Sequence, residues 1–190
     1  ENANKAKELG VTFRAMNPKE LRKESRIIAG IFNEALRDNW GFEEFLDSQI
    51  DEMVLMFKFF IDPRVVIFAL HEGNEIGCLI MIPDFNHLIK PCKGKLNMGL
   101  IMRYMKRWKT TNRIRGYALG VLKKYQNNGI GSALTKEMYR VCADLPYEGC
   151  EISWVLANNG PMNELSKAMG GKQNKVYRIY KKEPIQRTIN

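Results

Sequence analysis

The densest chemical signal in the chain is Gln126-Asn127-Asn128-Gly129-Ile130-Gly131, followed by Ser132. An apolar run over residues 117–122 precedes it and an apolar-periodic stretch follows, so the segment predicts a strand, a turn and a helix. Glycines at 129 and 131 leave backbone N–H groups unshielded by side chains. The first N–H groups of a helix have no intrahelical partner, and together they carry about half a positive charge. The chemistry this suits is anion binding, with main-chain amides cradling a phosphate. A dinucleotide fingerprint needs glycine or alanine where this chain has Leu134, and no G-x-x-x-x-G-K-[ST] loop occurs. Glycines that serve only a tight turn would explain the spacing without any ligand.

The segment resembles the acyl-CoA pyrophosphate loop of the GNAT acetyltransferase superfamily, Q/R-x-x-G-x-G/A. Tyr125-Gln126 supplies the aromatic-then-Gln/Arg pair, and Leu119-Gly120-Val121 stands where that family has its pantetheine-binding strand. The resemblance implies acetyl-CoA, or another acyl-CoA, as co-substrate and no metal. It places the pyrophosphate on Gln126, Asn127, Asn128, Gly129, Ile130, Gly131 and Ser132. Pantetheine would pair with a free strand edge at Leu119, Gly120 and Val121, because an unpaired edge offers alternating N–H and C=O groups. Gly120 would admit close approach there. The family asparagine of the next strand's end matches Asn159, with Met162 beside it. Asn159 reads equally well as the N-cap of a helix beginning near Pro161.

Attack of an amine on a thioester needs an unprotonated amine, a donor for the oxyanion and a route for the departing thiolate. The family pattern Asn-x-x-Ala-x-x-Leu-Tyr puts a tyrosine in the acid's place, and counting from Asn159 gives Ser166 here. Serine is a poor proton donor, so this is a departure. It is tolerable because a free thiol has a pKa of about 8.5 and its thiolate leaves readily. By analogy the oxyanion donor is a backbone N–H near Val121. Tyr177 and Tyr180 are substitute acids, although as strand residues they also suit packing. No single base stands out among Asp38, Glu43, Glu44, Asp84 and Glu151, each of which also suits a surface or helix-end charge.

The elements that would hold these residues follow from periodicity. Residues 1–10 are polar and suit a linker, and residues 11–16 alternate as a first strand. Asn17-Pro18 reads as the N-cap and first position of a helix with Leu21, Ile28, Ile31, Phe32 and Ala35 on one stripe. A second helix is expected over residues 42–60, then a β-hairpin from 65–70 and 76–82. Residues 84–112 form an insert between strands, in which 97–108 predict a helix bearing Leu100, Ile101, Tyr104, Met105 and Trp108. That stripe suits core packing, a lid over an acceptor or a basic interfacial helix. A strand at 150–157, a helix stopped by Gly170-Gly171 and a β run at 176–180 complete the order.

This order is α+β, and it is also the superfamily's order. It implies a mixed, mostly antiparallel sheet flanked by helices, with splayed central strands, in one domain over residues 1–190. Asp38-Asn39-Trp40-Gly41-Phe42 and Asn159-Gly160-Pro161-Met162 further resemble the C-terminal half of longer superfamily members, as does Tyr177-Arg178-Ile179-Tyr180. That resemblance leaves room for an N-terminal partner domain, and a first residue Glu1 agrees with an excised piece. Acceptor specificity is expected at Trp40 and the 97–108 helix.

Composition bounds the rest. A chain of 190 residues can bury a sizeable core, and no apolar run approaches the ~20 residues of a spanning helix. Cys78, Cys92, Cys142 and Cys150 make no C-x-x-C pair and only two histidines occur, so a zinc site or disulfide framework does not fit. A reducing cytoplasm does. The net charge of +9 concentrates in residues 85–115, which contain no acidic residue. Such a block can attract nucleic acid, an anionic membrane surface or a phosphorylated ligand, or be a solvated face. No reader motif accompanies it, which argues against nucleic acid. The sequence thus reads as an N-acyltransferase moving an acetyl or other short acyl group from acyl-CoA to a small-molecule or peptide amine by direct transfer in a ternary complex. The alternative is a non-catalytic acyl-CoA-binding or regulatory domain of a tandem protein.

Overall fold

The computed structural model describes residues 2–39, 41–93, 95, 98–152 and 154–180. They divide into two compact units, Glu1–Trp154 and Val155–Asn190. The first unit begins with helix α1 (Asn2–Glu8), strand β1 (Thr12–Ala15), α2 (Leu21–Ala35) and α3 (Ile50–Phe60). The hairpin β2 (Val66–His71) and β3 (Asn74–Pro83) follows, then α4 (Asn86–Ile89), α5 (Met98–Met105) and α6 (Arg107–Thr110). It ends with β4 (Arg113–Val121), α7 (Ile130–Ala143) and β5 (Gly149–Ile152). The strands form one sheet in the order β1-β2-β3-β4-β5, antiparallel except for the parallel pair β4–β5. This is the mixed α+β architecture that the element order implies. Among the described residues, no helix is long and apolar enough to cross a membrane.

The two apolar layers follow from strand alternation, because successive side chains leave opposite faces of a sheet. Val66, Phe68, Cys78 and Ile80 meet Ile28, Ile31 and Phe32 of α2 and Ile50, Met53 and Phe57 of α3. Their neighbours Ile67, Ala69, Leu79 and Met81 meet Ile130, Ala133, Leu134 and Met138 of α7. Residues 1–10 were expected as a linker, but Ala6 of α1 is buried in this second layer. The hairpin closes through Glu72 and Gly73, both at positive φ, the backbone that a two-residue turn between twisted strands demands.

Polar side chains redraw two of the expected helices. Asn17 does not cap α2. Its Oδ1 accepts from Lys19 N at 3.0 Å in a local turn, and the helix starts at Leu21. The helix expected over 42–60 begins only at Ile50. The Asn33 amide holds Phe45 through both backbone groups, at 2.8 and 3.0 Å, and so keeps that stretch out of helix. In the insert, helix breaks at Lys106, between α5 and α6. Tyr104 turns inward, its hydroxyl donating to Phe59 O, whereas Ile101 and Met105 are exposed. Trp40 and Asn97 lie outside the described residues.

The second unit carries helix α8 (Gly160–Ala168). Asn159 caps it, its side chain accepting from Met162 N at 3.2 Å, and Gly170 at φ +79° stops it. The β run expected over 176–180 is not a strand: Val176, Tyr177, Ile179 and Tyr180 are exposed in irregular backbone. Alternation alone does not make a strand without an edge to pair with. The late strand likewise stops at Ile152.

Asp62 ties the start of β2 to the segment before β5. Its buried carboxylate accepts from Arg64 N, Nε and Nη2 at 3.1, 2.9 and 2.7 Å, and from the Tyr147 hydroxyl at 3.0 Å. Burial opposes the charge, yet these donors and the Arg64 cation outweigh it and hold the carboxyl below its ordinary range. A carboxyl lowered on folding contributes stability that is complete above its unfolded pKa of about 4, and that is lost as pH falls through the native value. Asp62→Asn should therefore be less stable than the parent at neutral pH. In denaturant titrations across pH, the gap should narrow below about pH 4.

Candidate active site

The site is built on β4. This strand pairs with β3 along its length, but with β5 only through Arg113, Ile114, Arg115 and Gly116. Ile80 and Met81 oppose Ala118 and Gly116, which leaves Tyr117 as an extra residue in β4. Such a bulge bends a strand and increases its local twist. It falls where pairing with β5 ends, and beyond it no described strand covers that edge of β4 over residues 117–121. Leu122 N donates to Ile76 O of β3. Antiparallel alternation then turns the backbone groups of Val121 and Leu119 toward the open edge. The Gln126 side chain confirms this direction by donating to Val121 O at 3.0 Å.

The turn after β4 positions a set of unshared amides. Lys123 N donates to Glu34 Oε1 at 2.9 Å and Lys123 Nζ pairs with Asp38 at 2.7 Å, which fastens the turn to the end of α2. The chain then passes through Asn127 at φ +65° and Gly129 at φ +74° into α7. The first helical bond runs from Ala133 N to Gly129 O. Among the described residues, none accepts from the N–H groups of Asn127, Asn128, Gly129, Ile130, Gly131 or Ser132. Two left-handed residues beside a helix N-terminus aim such donors at one point, a concavity that suits a phosphate. An acyl-CoA fits these residues: amides of the turn for its diphosphate, and the open β4 edge for its amide-bearing arm.

The glycines divide their labour differently from the sequence expectation. At Gly120 an added Cβ would lie 2.6 Å from the Phe32 ring, so its missing side chain makes room for α2. At Gly131 an added Cβ would meet only Leu119 Cδ2, at 3.6 Å. Gly129 alone is demanded by its backbone angle.

The carboxylates considered as bases are largely engaged. Asp38 is held below the ordinary range by the hydrogen bond and charge of Lys123. Glu44 pairs with Arg37 at 3.5 Å and Glu151 with Arg115 at 3.6 Å, while Asp84 accepts from Asn86 N at 3.0 Å. In the second unit, the Ser166 hydroxyl donates to Met162 O at 2.8 Å, and Asn159 spends its side chain on the cap.

One feature escaped the sequence. A cavity of about 320 Å³ lies between α2, α3 and the sheet, walled by Ile28, Phe32, Met53, Met56, Phe57 and Ile80. Tyr117, the bulged residue, reaches it from β4, and Gln49 and Glu52 add polar groups. Gln49, Glu52, Met53, Met56 and Phe57 share one helical face, and that mixed spacing was the available signal.

A parallel pair that stops at Ile152, an amide-lined turn and a helix make a cradle that an acyl-CoA-like donor would fit. The acetyltransferase (GNAT) family model matches residues 28–170, and the chain belongs to that family. It is 32% identical over 181 residues to a bacterial ceramide synthase of Caulobacter vibrioides, covering 91% of this chain and 47% of that protein. It is 26% identical over 180 residues to protein YghO of Escherichia coli, covering 91% of this chain and 46% of that one. The chain thus spans about half the length of these curated relatives. The aminoglycoside N-acetyltransferase AAC(6')-Iy, solved with CoA, superposes with a TM-score of 0.58 at 12% identity, covering 92% of this chain and 95% of that one.

Substitutions in the loop should separate these roles. Gly129→Ala should cost about 1–2 kcal/mol, the price of a left-handed alanine, and Gly131→Ala should change stability little. Gly120→Ala should cost about 1–3 kcal/mol by overpacking against Phe32. Urea titration of the three variants checks the order.

Proposed function

We propose that the chain is an acyl-CoA-dependent N-acyltransferase that passes an acyl group directly to an amine within a ternary complex. The observation that carries this reading is the open β4 edge beside a turn whose amides are unspent. The diphosphate rests on the backbone of residues 126–132, and the pantetheine arm pairs along Leu119, Gly120 and Val121. The arm's position brings the thioester toward Tyr117, just beyond the point where pairing with β5 ends. The free amine attacks the thioester carbon, its lone pair forming the C–N bond. The carbonyl electrons pass to oxygen and return as the C–S bond breaks, and the amine's surplus proton leaves to solvent or the thiolate. The products are an amide and free CoA. The name of the ceramide synthase relative supports an amine with lipid character, and the CoA-bound neighbour supports the donor.

A second reading, acyl-CoA binding without transfer, is favoured by Ser166. Its proton is committed to Met162 O, so the position that holds an acid elsewhere in the superfamily offers none. Transfer then relies on the thiolate leaving unaided. An association with further domains of a longer protein is compatible with either reading.

Thermal unfolding with CoA and acyl-CoA, followed by thiol release against amines, tests both. Ligand at about 100 times its dissociation constant should stabilise the fold by roughly 2.7 kcal/mol. Gly129→Asp should abolish that shift while the variant remains folded. A shift without thiol release from any amine would favour the binding domain, and no shift at all would remove both readings.

A further inference from the structure

We propose that the cavity between α2, α3 and the sheet is the acceptor site, and that it takes an amphiphilic amine, with its ammonium at Glu52 and its hydrocarbon chain among the apolar walls. This assignment rests on the N-acyltransferase reading and names its acceptor class. A volume of about 320 Å³ falls at the small end of ligand pockets, well beyond what an acetyl group fills. Its walls are aliphatic, thioether and aromatic side chains, with Met53 and Met56 able to adapt to a flexible chain. A polyhydroxylated amine would leave its hydroxyls unpaired against such walls, at a cost no apolar contact repays.

The charge pattern at α3 points to the headgroup. Asp47 pairs with Arg26 and Asp51 with Arg22, so each of these neighbouring carboxylates already faces a cation of α2. Glu52 is exposed at the cavity and, among the described residues, has no ion-pair partner. A carboxylate left open at the mouth of an apolar cavity complements a single cation attached to a chain. Tyr117 supplies the link to the chemistry: it lines the cavity and is also the bulged residue at which the β4 edge opens. An amine seated at Glu52 therefore shares a wall with the strand that would carry the thioester.

The chain in the cavity could belong to the acceptor or to the acyl donor, and the experiment separates them. With the protein saturated in CoA, binding of butylamine, hexylamine and octylamine is measured by calorimetry, with octanol as the uncharged control. The expected result is about fourfold tighter binding per added methylene. Glu52→Gln should weaken octylamine about fivefold and leave octanol unchanged. Met56→Trp, which fills the cavity, should flatten the chain-length dependence while CoA still shifts thermal stability. In turnover, amine chain length should raise kcat/KM at constant acetyl-CoA, and acyl length should not at constant amine. Dependence on acyl length alone, equal binding of all the amines, or an unchanged Glu52→Gln would overturn the assignment. Amine binding as expected without thiol release would instead overturn the transfer reading and leave the site standing.

Discussion

Strand β4 is longer than the neighbour it pairs with, and it carries one residue more than β3 can match. These two facts meet at Gly116 and Tyr117, where the parallel ladder to β5 stops and the bulge turns the strand. A sheet interior otherwise spends every backbone group on a neighbouring strand. Here the groups of Leu119 and Val121 face away from β3 with no strand beyond them among the described residues, and Gln126 already reaches into that space to meet Val121 O. An edge of this kind is costly to leave bare, and a ligand bearing amides would resolve it.

The turn that follows is held from outside as well as by its own conformation. Glu34 and Asp38, at and just beyond the end of α2, fix Lys123 by backbone and side chain. Phe32 of the same helix occupies the space that Gly120 vacates. Helix α2 therefore sets both the strand and the loop, while α7 packs on the opposite face through Ile130 and Leu134. With α2 and α7 holding the turn from both sides, its unshared amides are fixed in place, the preorganisation that binding a diphosphate would require.

Charge is distributed by a similar economy. Arg14 crosses between β1 and α2, meeting the buried Glu24 at 2.9 Å and Glu75 at 2.8 Å, and lies over the Phe68 ring. Two members of the basic block are half-buried: Arg107 stacks on Tyr104 and donates to its carbonyl, and Arg115 pairs with Glu151. The other basic residues of that block, Lys90, Lys93, Lys95, Arg103, Lys106, Lys109 and Arg113, are exposed. Glu52, which lines the cavity, has no ion-pair partner among the described residues.

The sequence by itself determined the hairpin, the strand–turn–helix around Gly129 and the family, because each is written in local backbone requirements and short-range periodicity. Asn33 clamping Phe45, Gly120 yielding to Phe32 and Ala6 entering the second core layer were decided only by tertiary contact. So were the bulge at Tyr117 and the cavity behind it, since a register mismatch exists only between two strands and a void only between packed surfaces. Val176 to Tyr180 makes the same point in reverse: it alternates like a strand, yet alternation fixes which side a residue faces and not whether a partner edge will be there to receive it.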